Sequence, residues 1–336
     1  MPHYLVTGGA GYVGSHTVLA LREAGAEVTV LDDLSTGHAE AVPAGVALVR
    51  GDAGDERLLR RLFAERRFDA VFHFAALSLV GESARRPLHY LARNLSTTAR
   101  LAEAAAEAGC LRFVLSSTAA IFAEGVPLPI GEDAPQAPAS AYGDSKRMAE
   151  AALAWAERAY GLRCACLRYF NAAGADPALR TGEDHRPETH LIPLAIRAAL
   201  GQGPALTVHG NDYPTPDGTA IRDYVHVSDL AAAHLAVLPL LERGSVRFNL
   251  GTGRGHSVRE VIAAVERVLG RPVPHRIGPR RAGDVPALVA SPARIKAATG
   301  WRPRLSALED IVATALAWHR ARPEGFRSRS AAAAPA

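Results

Sequence analysis

Lysine is almost absent from this chain. Only Lys146 and Lys296 occur among its 336 residues, against 36 arginines, and asparagine is nearly as scarce, at Asn94, Asn171, Asn211 and Asn249. We read this as a drift toward arginine and alanine wherever replacement costs little, which makes each survivor, Lys146 first, a candidate for a specific task. Cysteine is scarce too: Cys110, Cys164 and Cys166 are too few for a disulfide framework, and the spacing of two sets Cys164 and Cys166 on one strand face as buried thiols. No apolar run reaches the ~18 residues of a membrane-spanning helix. The first residues carry no basic segment followed by a long apolar one, so no secretory signal is read and a cytoplasmic protein is expected. Neither sign of charge dominates. With 38 basic and 34 acidic residues, a net charge of +4 is too dilute to propose nucleic acid as a partner. The 48% hydrophobic and 21% charged content fits a globular chain and excludes a disordered or fibrous one. The length suggests about two domains, each large enough to bury a core.

Periodicity supplies the architecture. Residues 3–7 read as a buried strand, 8–14 as a glycine turn, 12–24 as a helix and 27–31 as a second strand; strand signals return at 46–50, 69–74, 111–116 and 162–167. Helical stretches lie between them, the longest at 91–108 and 142–160. Strands alternating with helices predict an α/β fold with a doubly wound parallel sheet of the Rossmann kind. Beyond Asn171 proline and glycine punctuate the chain, and a smaller C-terminal α/β domain is expected, with helices at 193–200, 228–241, 258–269 and 308–319 and strands at 206–208 and 246–250. We place a cofactor domain at 1–173 and a substrate domain at 174–326, with residues near 221–250 packing back on the first domain and 327–336 forming a frayed tail.

Several residues carry chemistry. Gly8, Gly11 and Gly14 follow a strand and open a helix, so backbone N–H groups can approach a pyrophosphate at the helix N-terminus. Asp32 ends the next strand, where a carboxylate binds ribose hydroxyls and repels a 2′-phosphate, favouring NAD over NADP. Asp52 ends the third strand and is read either as a ligand for the adenine edge or as a solvated turn residue. Tyr142 and Lys146 stand one helical turn apart on a common face, and a nearby ammonium is expected to lower the phenol's pKa toward a usable base. Ser116, Ser117 and Thr118 end the fifth strand at the sheet's carboxyl edge, where a hydroxyl can hold a reacting oxygen or simply close the strand. His185 and His190 share a loop without Cys or carboxylate at ligand spacing, so no metal is expected.

Together these residues resemble the extended short-chain dehydrogenase/reductase superfamily, and within it the UDP-glucose 4-epimerase (UDP-galactose 4-epimerase) family, over residues 4–326. The stretches Gly210-Asn211-Asp212-Tyr213-Pro214-Thr215-Pro216-Asp217-Gly218-Thr219 and Ile221-Arg222-Asp223-Tyr224-Val225-His226-Val227 are the most specific; Val80-Gly81-Glu82-Ser83, Arg168-Tyr169-Phe170-Asn171 and Phe248-Asn249-Leu250-Gly251-Thr252-Gly253 agree with them. The resemblance implies reversible 4-epimerisation of UDP-galactose and UDP-glucose through a transient 4-keto sugar and bound NADH, with NAD regenerated in each cycle. Tyr142 would take the sugar 4-hydroxyl proton, Lys146 would bind the nicotinamide ribose, and Thr118 would hold the 4-oxygen.

By the same resemblance NAD would also contact Tyr12, Val13, Asp33, Leu34, Ser35, Thr36 and Gly37, then Asp52 and Ala53, then Phe74, Ala75, Ala76, Leu77 and Ser78, with Asn94 and Phe170. The nucleotide sugar would be held by Asn171, His190, Leu191, Thr207, Val208, His209, Arg222, Arg281 and Asp284, the two guanidinium forks matching diphosphate oxygens. Ser78, His190, His209 and Thr118 depart from the best-known bacterial pattern, and Leu288 stands where a larger tyrosine can line the sugar's 2-substituent. That extra room implies some activity on UDP-N-acetylhexosamines; UDP-pentoses are a further alternative. A 4,6-dehydratase would need an Asp-Glu pair after the threonine, and Ala119-Ala120 cannot move protons. A non-catalytic NAD-binding regulator is the contrasting class, although such proteins can dispense with the Tyr or Lys kept here. The long helices at 91–108 and 142–160 would pair across a two-fold axis into a four-helix bundle, giving a homodimer.

Overall fold

In the computed structural model, which describes residues 1–281 and 283–329, the expected alternation becomes a single seven-stranded parallel sheet. Its first half comprises β1 (His3–Thr7), α1 (Tyr12–Glu23), β2 (Glu27–Asp32), β3 (Ala47–Arg50), α2 (Glu56–Glu65), β4 (Ala70–His73), α3 (Val80–Arg85), α4 (Pro87–Glu107), β5 (Arg112–Thr118), α5 (Ala141–Tyr160) and β6 (Arg163–Tyr169). The remainder comprises β7 (Asn171–Ala173), α6 (Leu191–Ala199), β8 (Leu206–His209), β9 (Ile221–Arg222), β10 (Tyr224–His226), α7 (Val227–Ala236), β11 (Val246–Leu250), β12 (His256–Ser257), α8 (Val258–Leu269), β13 (His275–Gly278), β14 (Ala287–Leu288), α9 (Ala293–Thr299) and α10 (Leu308–Ala321).

The strands run β3-β2-β1-β4-β5-β6-β11, so the order reverses between β1 and β4, and the crevice at that reversal is where such sheets bind ligands. Register aligns the carboxyl ends: Thr7 lies opposite His73, and Thr118 opposite Tyr169. Leu5, Val6, Val71, Phe72, Phe113, Val114 and Leu115 are wholly buried, which is why β1, β4 and β5 read as unbroken apolar runs rather than alternating ones. Val18 of α1 and Leu230 of α7 fill one face, while Leu59 of α2, Leu101 of α4 and Leu153 of α5 fill the other. A second core joins α6, α8 and α10 through Ile196, Val265 and Ile311. All three thiols are buried and free.

Several expected bounds change, and the helix expected over 91–108 begins at Pro87, with proline in its first turn. The helix expected over 228–241 ends at Ala236 and continues as the 3-10 segment Leu238–Glu242, because Pro239, in that segment's first turn, lacks the N–H that an α-helix would need. Helix α6 begins two residues early, with Pro193 in its first turn, where amides have no intrahelical partner anyway. At the expected frayed tail, Gly325–Arg329 forms a 3-10 turn, and residues 330–336 lie outside the described residues. Among the described residues, no helix is long and apolar enough to cross a membrane.

Candidate active site

The glycine turn after β1 is shaped by close approach. Gly8 adopts φ +71°, and a Cβ there would sit 2.5 Å from Ala75 N; a Cβ on Gly14 would sit 2.1 Å from Gly8 O, so α1 can meet β1 only without side chains. Gly11 differs, since a Cβ would meet nothing nearer than Gly8 O at 3.3 Å. Gly11 is the N-cap of α1, with no capping side chain and no acid in the first turn, so the positive end of the helix around Tyr12 and Val13 is open to an anion.

Asp32 faces this turn, its Oδ2 accepting from Ala10 N and its Oδ1 from Leu34 N, both at 2.9 Å. Burial pushes its carboxyl above the ordinary value against the opposing pull of those two amides. Each oxygen keeps a lone pair for a ribose hydroxyl. Leu34 holds a left-handed φ of 60°, which costs a non-glycine residue roughly 1–2 kcal/mol and folds the turn bearing Asp33, Ser35, Thr36 and Gly37 against Ala10. An uncapped helix end, an uncrowded glycine and a buried carboxylate fit a dinucleotide.

The chemistry sits one strand further across the crevice. Thr118 is the last residue of β5, and Tyr142 and Lys146 project from the first turns of α5. Ser140 caps that helix by accepting from Gly143 N at 3.1 Å. Gly143 is a residue whose importance the sequence did not disclose: a Cβ there would lie 2.2 Å from Ala120 O and 2.9 Å from its carbonyl carbon. Its bare backbone lets α5 abut the turn after Thr118, which brings the Tyr142 phenol beside the Thr118 hydroxyl. Burial pushes the Tyr142 phenol above its ordinary value of 10, and the Thr118 hydrogen bond offsets part of this. The expected lowering by Lys146 is not found in this arrangement: the buried ammonium donates to Ser116 O at 2.9 Å and is itself brought down to about 8 by burial, with Glu150 opposing.

Beneath this trio lies a second feature missed from sequence. Glu150, two turns beyond Tyr142, takes a bidentate bond from Arg168 (Nε at 3.0 Å, Nη2 at 2.7 Å) and another from the Ser117 hydroxyl at 2.5 Å, all buried. The alternation along β5 that turns Thr118 toward the crevice turns Ser117 inward to Glu150. A charge at Arg168 in a fully covered strand was the signal that could have found it.

The remaining sites expected for the cofactor are spread along the carboxyl edge. Phe74, Ala75, Ala76, Leu77 and Ser78 follow β4, and Phe170 follows β6. Asn94 is buried in α4: it donates to Leu77 O and to Ser145 Oγ and accepts from Leu77 N, which leaves it one acceptor lone pair for a ligand. Asp52 is paired with Arg93 at 2.7 Å and accepts from Gly54 N, beside the buried Ala53.

On the opposite wall, β9 pairs with β14 so that Arg222 lies opposite Leu288, and Leu288 packs with Phe170 against the turn after Thr118. Arg222 is paired with Asp284, and Arg281 is exposed in the same segment. Asn171 donates its backbone N–H to Asp223 O, and Asp223 is a hub rather than a ligand, accepting from Thr252, Gly253 and Ala290. Thr207 and His209 flank Val208, whose side chain is turned into the second core, leaving only its backbone to a ligand. His190 caps the start of α6 before Leu191. The expectation that His185 and His190 lack carboxylate partners is corrected here. The loop folds Glu183 against both rings and Glu188 against His190, an outcome of its irregular path that linear spacing does not express.

Comparison with known proteins gives a consistent result. Residues 4–251 match the family model described as NAD dependent epimerase/dehydratase family. The chain is 48% identical over 328 residues to a UDP-glucose 4-epimerase of Halalkalibacterium halodurans, covering 97% of this chain and 98% of that one. Among solved structures it is similar to a UDP-glucose 4-epimerase from Brucella ovis in complex with NAD (TM-score 0.91, 44% identity, 95% and 98% coverage). It is also similar to one from Bifidobacterium longum in complex with NAD+ and UDP (TM-score 0.92, 37% identity, 96% and 100% coverage).

Proposed function

Because the chain belongs to the NAD dependent epimerase/dehydratase family, we propose that it interconverts UDP-galactose and UDP-glucose by epimerisation at C4, using bound NAD. The observation that carries this reading is the meeting of the Thr118 hydroxyl and the Tyr142 phenol beside an open glycine turn with a carboxylate at its far end. NAD, when bound, supplies a reversible two-electron acceptor at C4. The protein's part is to orient the sugar and move one proton. Tyr142 takes the proton of the 4-hydroxyl while Thr118 holds the same oxygen, and Tyr142 returns it when the ketone is reduced on its other face. Lys146, buried and anchored to Ser116 O, offers its remaining N–H donors to the ribose of the cofactor.

Gly8, Gly11, Tyr12, Val13 and Gly14 cradle the pyrophosphate, Asp32 holds the adenosine ribose, and Asp33 to Gly37 with Asp52 and Ala53 border the adenine. Residues 74–78, Asn94 and Phe170 line the nicotinamide half. Arg222 and Arg281 hold the diphosphate of the sugar nucleotide, with Asn171, His190, Leu191, Thr207, Val208, His209 and Asp284 around uridine. Residues 1–173 act as the cofactor domain and 174–326 as the substrate domain, with 221–250 joined to the sheet through β11.

Purified protein given UDP-galactose with no added cofactor is expected to yield UDP-glucose by chromatography. Tight NAD binding with no turnover, even after NAD is added, would instead favour a regulator. Leu288 beside Arg222 supports some activity on UDP-N-acetylhexosamines; a UDP-N-acetylgalactosamine rate below about a thousandth of the UDP-galactose rate would refute it. Leu88 on α4 and Trp155 on α5, 77% and 67% exposed, support a homodimer through a four-helix bundle, to be read by light scattering.

A further inference from the structure

We propose that Glu183, His185, Glu188 and His190 form a structural binding site for a divalent transition metal of the zinc class, apart from the Tyr142 centre and taking His190 through Nδ1, which leaves its Nε2 for the uridine side assigned to that residue. One donor atom from each of the four lies within 4.8 Å of all the others. Glu183 Oε1 stands 3.0 Å from His185 Nδ1 and 2.6 Å from His190 Nδ1, and Glu188 Oε1 stands 3.3 Å from His190 Nδ1. In a tetrahedral site with metal–ligand bonds near 2.0–2.1 Å, neighbouring donors are about 3.3 Å apart, so small side-chain movements would bring these four to one centre.

Burial adds an independent reason. The Glu183 and Glu188 side chains are 5% and 1% exposed, and the second oxygen of Glu188 is buried with no hydrogen-bond partner in the structure. Glu188 Oε1 accepts from the backbone amides of Thr189 and His190 at 2.7 and 2.9 Å and Glu183 Oε1 faces both imidazoles, so the unmet demand is that of the buried Glu188 Oε2, which a cation held among the four side chains would satisfy. Two imidazoles and two carboxylates form the borderline N/O set that suits zinc better than calcium or magnesium, which prefer oxygen alone. The four donors come from eight consecutive residues between β7 and α6, so an ion there would fix the irregular loop. His190 is the N-cap of α6 and His185 packs edge-on against Tyr12 of the glycine turn, so both walls of the crevice would be tied together. With four protein donors the site is closed, which assigns it a structural rather than a catalytic role.

The test is metal content, read without reference to turnover. Untagged protein saturated with zinc and dialysed against metal-free buffer is expected to retain about one zinc per chain by mass spectrometry, and the His185→Ala/Glu188→Gln variant at least tenfold less at unchanged circular dichroism. X-ray absorption at the zinc edge of the wild type, which needs no variant, should show an N/O shell near 2.0 Å with imidazole scattering. Retention below about a tenth of an equivalent by the wild type, undiminished zinc in the folded variant, or sulfur in the zinc shell would each overturn the site.

Discussion

Gly143→Ala sets two physical effects against each other. Alanine is the better helix former by about 1 kcal/mol, so helix propensity alone predicts a more stable protein. The structure predicts otherwise, because the new methyl would stand 2.2 Å from Ala120 O and 2.9 Å from the attached carbon, both backbone atoms of the turn after Thr118. No side chain can rotate away, so α5 and the turn must part by about 1 Å to reach ordinary contact. Overpacking of this kind costs about 1–3 kcal/mol, which cancels or outweighs the propensity gain. The larger effect falls on chemistry: a displacement of about 1 Å between the Tyr142 phenol and the oxygen held by Thr118 should lower kcat about 100-fold. The assay follows conversion of UDP-galactose to UDP-glucose, with NAD content and thermal denaturation measured on the same samples. Gly81→Ala is the stability control, since Gly81 lies in α3 with nothing within 4 Å of its Cβ, and should be neutral or stabilising. A Gly143→Ala protein with a raised Tm and a kcat within about threefold of wild type would refute the argument.

Further outcomes follow from the same geometry. Tyr142→Phe removes the proton acceptor and should lower kcat by about 10²–10⁴ while NAD content stays unchanged, as absorbance and turnover on one preparation would reveal. Arg168→Ala takes the bidentate partner from buried Glu150, leaving it only the Ser117 hydroxyl and Arg247 at 3.9 Å, and urea denaturation should register a loss of about 3 kcal/mol. Lys146, brought down from 10.5 to about 8 by burial, holds fewer protons folded than unfolded, so its charge costs stability below pH 8 and that cost fades as pH rises from 8 to 10.5. Cofactor-stripped Lys146→Met should therefore be inactive yet more stable at pH 7 by about 3 kcal/mol, with the gain gone above pH 10.5; an equal gain at both ends would refute the linkage. Trp155→Glu, at an exposed apolar position on α5, should give a monomer mass by light scattering where the wild type gives the proposed dimer's, without unfolding the chain.

Local rules made part of this protein legible before any coordinates. Unbroken apolar runs between glycine-rich turns announce covered parallel strands, and the apolar residues 5–6, 71–72 and 113–115 of β1, β4 and β5 are wholly buried as that pattern requires. Gly8, Gly14 and Asp32 could be assigned from spacing because a turn of fixed length brings them together. Lys146 stood out because a nearly lysine-free chain had kept it. These determinations are local: each depends on residues within one element or one turn.

The tertiary structure decided what depends on neighbours distant in sequence. The weight on Gly143 comes from a carbonyl 23 positions earlier, and the Arg168–Glu150–Ser117 pairing joins two strands and a helix that share no sequence pattern. The phenol of Tyr142 illustrates the same limit. Its spacing from Lys146 suggested a lowered pKa, but burial, which spacing cannot express, pushes it up while the ammonium turns to Ser116 O. Glu183 and Glu188 were visible beside His185 and His190 all along, yet only an irregular loop path makes four nearby residues converge. Sequence by itself determined which residues could bind or react, because residue type and short-range spacing fix chemistry and periodicity. Folding decided which of them meet, because meeting depends on packing between elements that sequence distance does not measure.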